Sequence, residues 1–305
     1  MRIVNFLPAI AVAALAASCV PVSARTVTPS TLVSALAEAR GGETLTLEAG
    51  DYGVVKLPQR AFFPKLTVDS RAARVSGWVI HNAIGVEIDG GVVTGEAQRY
   101  AVSIRAAKAV RIANMRIGGA VRGIVVAGSE GVVLVGNTLD SLVSDGINIV
   151  DSRQVRVEGN SCGNFSPTAS KFENGVKISE GHHPDCIQAW SVQGKTPLSD
   201  IAIVNNTGEG RMQGVFFGNG TWGGVDRLEV RGNRFRLAMP NGIVVTNARG
   251  AVVRDNVLET IQGTIIQGRR PFAVKTKLLV EGTDLNVCGN KVTSVPNSQG
   301  TQKCR

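Results

Sequence analysis

From Val86 onward the chain carries a short pattern of apolar and polar positions: apolar, any, apolar, any, any, Asn, any, apolar. It reads Val132-Val-Leu134-Val-Gly-Asn137-Thr-Leu139, then Val155-Arg-Val157-Glu-Gly-Asn160-Ser-Cys162, and returns at Leu228 to Phe235. Looser copies span Ala251 to Leu258 and Leu285 to Val292, while Ile201 to Asn206 keeps the first half but has Gly208 at the last apolar slot. The asparagines at 137, 160, 206, 233 and 256 are separated by 23, 46, 27 and 23 residues, and 46 is twice 23. A period near 23 made of short alternating runs is the signature of a solenoid, in which no coil buries its apolar row alone and stacking does.

A second run follows in each unit: Gly123-Ile-Val-Val126, Gly146-Ile-Asn-Ile149, Gly214-Val-Phe-Phe217 and Gly242-Ile-Val-Val245. Alternation along a strand sends Ile147 and Ile149 to the core and Asn148 outward. The repeated Asn fits a left-handed bend residue that also forms an amide ladder through the stack. After residue 40 no stretch keeps a helical period, so the fold class is all-β: a parallel β-helix of roughly 22–24 residues per coil. Before it, Pro29 to Arg40 places Leu32, Val33, Leu36 and Ala39 at helical spacing, with Ser30 or Thr31 near the N-cap. That helix, followed by Gly41-Gly-Glu-Thr-Leu-Thr-Leu-Glu-Ala-Gly-Asp-Tyr52, resembles the entrance of the pectin-lyase-like superfamily of right-handed parallel β-helices. The resemblance implies a right-handed solenoid and a carbohydrate-active protein; the superfamily hosts lyases, hydrolases, epimerases and adhesins.

The N-terminus adds a compartment. Arg2, the apolar stretch Phe6 to Ala17, and Val22 and Ala24 at the −3 and −1 positions predict a signal peptide, residues 1–24, cleaved before Arg25. Ala16-Ala-Ser-Cys19 resembles a lipoprotein box, but Leu15 stands one place too early for it, so a secreted or periplasmic protein is expected. The expected organisation is then a cap helix and first strand over 25–52 and a β-helix over 53–305. No stretch is long and apolar enough for a transmembrane segment.

Losing the leader removes one of 33 basic residues and none of the 24 acidic ones, leaving a charge of +8. In an exported chain that excess favours a polyanion. Without basic runs interleaved with aromatics, an acidic polysaccharide is the expected partner rather than nucleic acid, met by a monomer. Of four remaining cysteines, Cys288 with Cys304 would tie the C-terminal tail, and Cys162 with Cys186 is an open pairing.

One insertion breaks the rhythm. Nine residues separate Asn137 from Gly146, but 26 separate Asn160 from Cys186, which holds the same slot. The extra segment, 163–184, carries Lys177, His182 and His183 and runs into Pro184-Asp185-Cys-Ile-Gln188-Ala-Trp190. Alternation turns Gln188 and Trp190 outward beside Asp185. The preceding coil offers Asp145 and Asn148 in the same slots, and the following one offers Gln213 and Phe216, with Arg211 just before. At about 4.8 Å per coil these residues make one outer patch, with Trp190 and Phe216 as flat faces for sugar rings.

Two chemistries suit the patch. Polygalacturonase-type hydrolases of the resembled superfamily carry Asp before Gly-Ile and an Asp-Asp-Cys-Ile stretch one coil on. Ser144-Asp-Gly-Ile147 and Pro184-Asp-Cys-Ile187 are similar in placement, with Pro184 in place of the further Asp. β-Elimination instead requires the uronate carboxylate to be neutralised and the C5 proton removed. Asp145 and Asp185 could hold Ca²⁺ for the first task or orient a histidine, and Lys177, His182, His183 or Arg211 could be the base. A polysaccharide lyase fits this set best. A hydrolase, a C5-epimerase, which begins with the same proton abstraction, and a non-catalytic glycan binder are the alternatives.

Overall fold

In the computed structural model, residues 23–96, 98–192, 198–218, 223–261, 275–294 and 298–301 are described. The predicted cleavage signal up to residue 22, and Cys304, lie outside them. Strands of successive coils stack in parallel register into three walls of a solenoid. The first wall runs through Gly77–His81, Tyr100–Arg105, Arg122–Ala127, Ile147–Val150, Asp185–Trp190, Gln213–Phe217 and Asn241–Arg249. The second includes Glu130–Val135, Arg153–Glu158 and Leu198–Val204, and the third Thr138–Asp140, Ser161–Gly163 and Thr207–Gly210.

The alternation of the sequence sets which atoms leave water. Ile147, Ile149, Ile187, Ala189 and Val215 point into one continuous core with Val132, Leu134, Val155 and Val157 of the second wall. The only helix among the described residues, Leu32–Glu38, closes the N-terminal end of that core. Its buried face is Leu32, Ala35 and Leu36, whereas Val33, expected on that face, is 80% exposed. The helix is short, and Leu32, Ala35, Leu36 and Ala39 already complete one stripe at i, i+3, i+4, i+7 spacing, which leaves Val33 on the opposite side.

The repeated asparagines build a ladder. Asn137, Asn160, Asn206, Asn233, Asn256 and Asn290 are all buried; Asn137 Oδ1 accepts from the Met115 N–H, and from Asn160 onward each Oδ1 accepts from both the backbone N–H and the side-chain amide of the rung before it. The left-handed bend expected of these residues belongs instead to the position before each: Gly136, Gly159, Asn205, Gly232, Asp255 and Gly289 have positive φ. Backbone turning and side-chain laddering are thus divided between two neighbours, because the ladder geometry requires an ordinary backbone at the Asn. Asn160 bonds directly to Asn206, so the 46-residue interval is one coil carrying insertions, not two coils.

Most of that extra length is the segment before Asp185, which forms an antiparallel hairpin, Lys171–Glu173 with Val176–Ser179. Its base is tied to the stack where Ser166 N–H donates to Leu142 O and Gln213 N–H to Pro184 O. A disulfide between Cys162 and Cys186 joins the third wall to the first in this same coil. Gly208 explains its departure from the repeat: a Cβ there would stand 2.8 Å from the Phe235 ring and 3.8 Å from Cys186 Cβ, so the missing side chain makes room for both. Cys288 is also disulfide-bonded, and its expected partner Cys304 is outside the described residues.

Candidate active site

On the first wall, consecutive rungs bring side chains of the same slot into columns. One column runs from Tyr100 through Arg122, Asp145 and Asp185 to Gln213, the steps being set by strand register and by Gly123 N–H to Asp145 O and Gly146 N–H to Asp185 O. The next runs from Ser103 through Val125, Asn148 and Gln188 to Phe216, and a third from His81 through Arg105, Ala127 and Val150 to Trp190. Asp145, Asn148, Asp185, Gln188, Gln213, Trp190 and Phe216 therefore do converge on one face.

The face is less open than alternation alone suggests. Asp145, Asn148 and Asp185 are 3%, 1% and 1% exposed, and Gln188, Gln213, Trp190 and Phe216 are half-buried around them. Neighbouring side chains on a flat wall cover short ones between them, so an outward direction is not the same as exposure. The polar atoms form a network. Asp145 Oδ2 accepts from Arg122 Nε at 3.0 Å and from Asn148 Nδ2 at 3.1 Å, and its Oδ1 accepts from the Asp185 N–H at 3.2 Å. Asn148 Nδ2 also reaches Gln188 Oε1 at 3.4 Å, and Asn241 donates to Gln213.

Asp185 is the exception in this network. Its Oδ1 and Asn148 Oδ1 are buried oxygens without a hydrogen-bond partner. Burial, and secondarily the charge of Asp145, push the Asp185 carboxyl well above the usual carboxylate range. The two aspartates are thus unequal: Asp145 is paired with a guanidinium, and Asp185, without such a partner, holds its proton more tightly than an ordinary carboxyl. An acid whose affinity for its proton is raised in this way is suited to donate that proton in a reaction.

The predicted base candidates Lys177, His182 and His183 make contacts within the insertion. Lys177 Nζ pairs with Glu180 at 2.7 Å, His183 Nε2 lies 3.7 Å from Glu180, and His182 Nδ1 is 2.6 Å from Thr168 Oγ1. Arg211 is exposed in the turn before Gln213 and makes no ion pair with an acidic side chain among the described residues. The residue that the sequence reading passed over is Arg122. It occupies the Asp145 and Asp185 slot one coil earlier, in Arg122-Gly-Ile124, and extending the slot comparison one more coil finds it.

The donor set does not suit a Ca²⁺ ion held by Asp145 and Asp185. Such an ion takes six to eight oxygens, whereas both oxygens of Asp145 already accept from N–H groups and Arg122 supplies the positive charge there. Among the described residues no three His, Cys, Asp or Glu side chains gather as metal ligands. A separate depression of about 300 Å³ lies on the third wall, lined among others by Gly208, Glu209, Phe235 and Arg236. Within it Arg236 pairs with Glu209 and Glu259.

Arg122→Leu tests the inequality of the two aspartates. Removing the guanidinium leaves the Asp145 carboxylate buried with only neutral donors, and a loss of about 2–3 kcal/mol at neutral pH is expected. Much of it returns in Arg122→Leu/Asp145→Asn. Urea midpoints of the two variants measure this.

Residues 69–258, more than half of the chain, match the family model described as the right-handed beta helix region. The chain belongs to this right-handed β-helix family. No curated protein sequence matches it. Among solved structures, the β-helix is similar to pectate lyase Pel9A, with 13% identity, 91% of this chain and 82% of that one covered, and a TM-score of 0.51. It is also similar to PfbA, a surface adhesin of Streptococcus pneumoniae, at 12% identity, 90% and 89% coverage and a TM-score of 0.50. A polygalacturonase from Erwinia carotovora ssp. carotovora follows at 13% identity, 90% and 96% coverage and a TM-score of 0.45. At these identities the likeness is one of fold. No helix among the described residues is long and apolar enough to cross a membrane.

Proposed function

We propose that this β-helix is an exported enzyme that cleaves an acidic, uronate-containing polysaccharide by β-elimination on its first wall, with Asp185 as the proton donor to the departing glycosidic oxygen. The observation that carries the reading is the buried, unpartnered carboxyl of Asp185 beside the guanidinium-bound Asp145. In β-elimination a base removes the C5 proton, the C4–O bond breaks as the C4–C5 double bond forms, and the leaving oxygen takes a proton. Asp185 suits that last step. Cationic side chains of the wall, Arg122 first, suit the uronate carboxylate, whose neutralisation makes C5–H acidic. Lys177, His182 and His183 remain the candidate bases, Lys177 on the hairpin and the two histidines on the segment that leads from it into the Asp185 strand. Hydrolysis needs a carboxylate free to activate water on the other side of the bond. Asp145, engaged by Arg122, Asn148 and a backbone N–H, is poorly suited to that role.

The Cys162–Cys186 disulfide supports an oxidising compartment, and the occurrence of the same fold in a pectate lyase fits the substrate class. The test is incubation with a panel of polyuronates, following both ultraviolet absorbance and reducing ends. New unsaturated ends are expected. Reducing ends without unsaturation would assign hydrolysis, retention of polymer without cleavage would assign a binder, and inversion at C5 without cleavage an epimerase. Under β-elimination, alanine at one of Lys177, His182 and His183 removes turnover while the other two retain most of it.

A further inference from the structure

The same wall continues past Arg122 toward the N-terminus, and its character changes there from acidic to basic. On the rung Tyr100–Arg105, the guanidinium groups of Arg99 and Arg105 each lie 5.5 Å from the centre of the Tyr100 ring. Neither makes an ion pair with an acidic side chain among the described residues. Arginines of the second wall are treated differently: Arg111 pairs with Glu87, Arg153 with Glu130 and Arg156 with Glu158.

Arg105 is also held in place. Its Nε donates to Ser103 Oγ at 3.3 Å, and Ser103 Oγ is 2.9 Å from His81 Nε2 on the adjacent rung. Ser103 is buried, and burial, then the charge of Arg105, lowers the basicity of His81. With His81 neutral, the Ser103 hydroxyl donates to His81 Nε2 and accepts from Arg105, a consistent chain of donors. That chain consumes Nε and leaves the fork of terminal nitrogens for another acceptor. Two guanidinium groups kept against one ring repel each other, and an anion at that place relieves the repulsion while accepting two parallel hydrogen bonds.

We propose that Arg99, Tyr100 and Arg105 form a subsite for one anionic sugar residue, carboxylate- or sulfate-bearing, of a chain whose reacting bond lies at Asp185. The inference rests on the reading of this wall as the glycan-binding face. Tyr100 and Asp185 are three rungs apart in one column, about 14 Å at ~4.8 Å per rung, so the subsite holds a different sugar from the one that reacts. The bound chain then runs along the stack, and the subsite favours oligomers long enough to span both places.

The test uses the full chain carrying Asp185→Asn, so that ligand survives, and titrates it calorimetrically with a galacturonate trimer, a galacturonate hexamer, a sulfated hexasaccharide and a neutral hexasaccharide. Adding Arg99→Ala/Arg105→Ala is expected to weaken the acidic hexamer about tenfold or more, the trimer much less and the neutral ligand not at all, with a shallower salt dependence. The milder Arg105→Gln, which retains a donor for Ser103, is expected to give a smaller loss in the same direction with an unchanged circular dichroism spectrum. A preference for the carboxylate or the sulfate hexamer identifies the anion. Unchanged hexamer affinity in both variants would overturn the subsite while leaving the function standing. Failure of the parent to bind any acidic oligomer would remove the functional reading, and the subsite with it.

Discussion

Asp185→Asn is expected to lower kcat by about 10²–10⁴ with little change in KM, the range for loss of one positioned general acid, while the protein stays folded and becomes less sensitive to alkali. The argument begins with geometry. Asp185 opens the strand Asp185–Trp190, its N–H is fixed on Asp145 Oδ1, and the core residues Cys186 and Ile187 that follow lock its direction. The side chain is therefore held in a dry position with one oxygen unpartnered. Ionising it there places a second negative charge beside Asp145 in a poorly solvated site, and that is why its affinity for the proton is raised. The sign for stability follows. A carboxyl whose folded-state value lies above its unfolded value of about 3.9 contributes fully below that value, and the contribution is lost as pH rises through the folded value. The amide has no proton to lose, so the variant's stability relative to the wild type rises across that window. Activity of the wild type falls through the same upper window as Asp185 deprotonates. Urea midpoints and kcat measured from pH 4 to pH 9 test both limbs. Full turnover in Asp185→Asn would remove Asp185 from the chemistry, and matching pH profiles of stability would remove the buried-acid account.

Much of this was legible in the sequence, for a reason that lies in the architecture. In a solenoid, a slot in one coil lies directly above the same slot in the next, so aligning Asp145-Gly-Ile with Asp185-Cys-Ile is already a spatial statement. That is why Asn148, Gln188 and Phe216 could be placed in one column without coordinates. Burial was not legible. Alternation gives direction only, and whether Asn148 meets water depends on the lengths of its neighbours, Gln188 and Asp145 among them. The division of labour at the turn was hidden as well, since the Gly-Asn pairs at 136–137, 159–160 and 232–233 are consistent with either residue taking the positive φ. The side-chain partners of the insertion were beyond reach for a different reason. Its hairpin is outside the repeat, no slot constrains it, and Lys177 and His183 meet Glu180 through local contacts only.

Asn206→Ala is expected to cost about 3–5 kcal/mol, a large loss for a single polar side chain. Asn206 is fully buried and its side chain makes four hydrogen bonds. Oδ1 accepts from the Asn160 N–H at 2.9 Å and the Asn160 amide at 3.0 Å, and Nδ2 donates to Val157 O at 2.9 Å and Asn233 Oδ1 at 3.0 Å. Truncation orphans the buried Asn160 N–H, and a stranded buried donor alone is worth roughly 1–3 kcal/mol. The cavity and the other lost bonds add to it. Asn206→Asp separates this account from one based on volume. The substituted carboxylate keeps the two acceptor bonds, but it loses the donors to Val157 O and Asn233 Oδ1 and turns an anion toward that oxygen. It should therefore be as damaging as alanine at neutral pH and recover as pH falls, because a buried carboxyl with a raised folded value stabilises only in its protonated range. Asn290→Ala, at the far end of the ladder, removes bonds on one side only and should cost about half as much. Coils of a solenoid contact chiefly their neighbours, so the loss at Asn206 is felt first where that coil meets the Asp185 and Gln213 rungs. Turnover by Asn206→Ala is accordingly expected to fail at a lower urea concentration than the global loss of β-structure. A single coincident transition would mean that the stack opens as one unit and that the ladder acts on the whole helix rather than on the coils beside the acid.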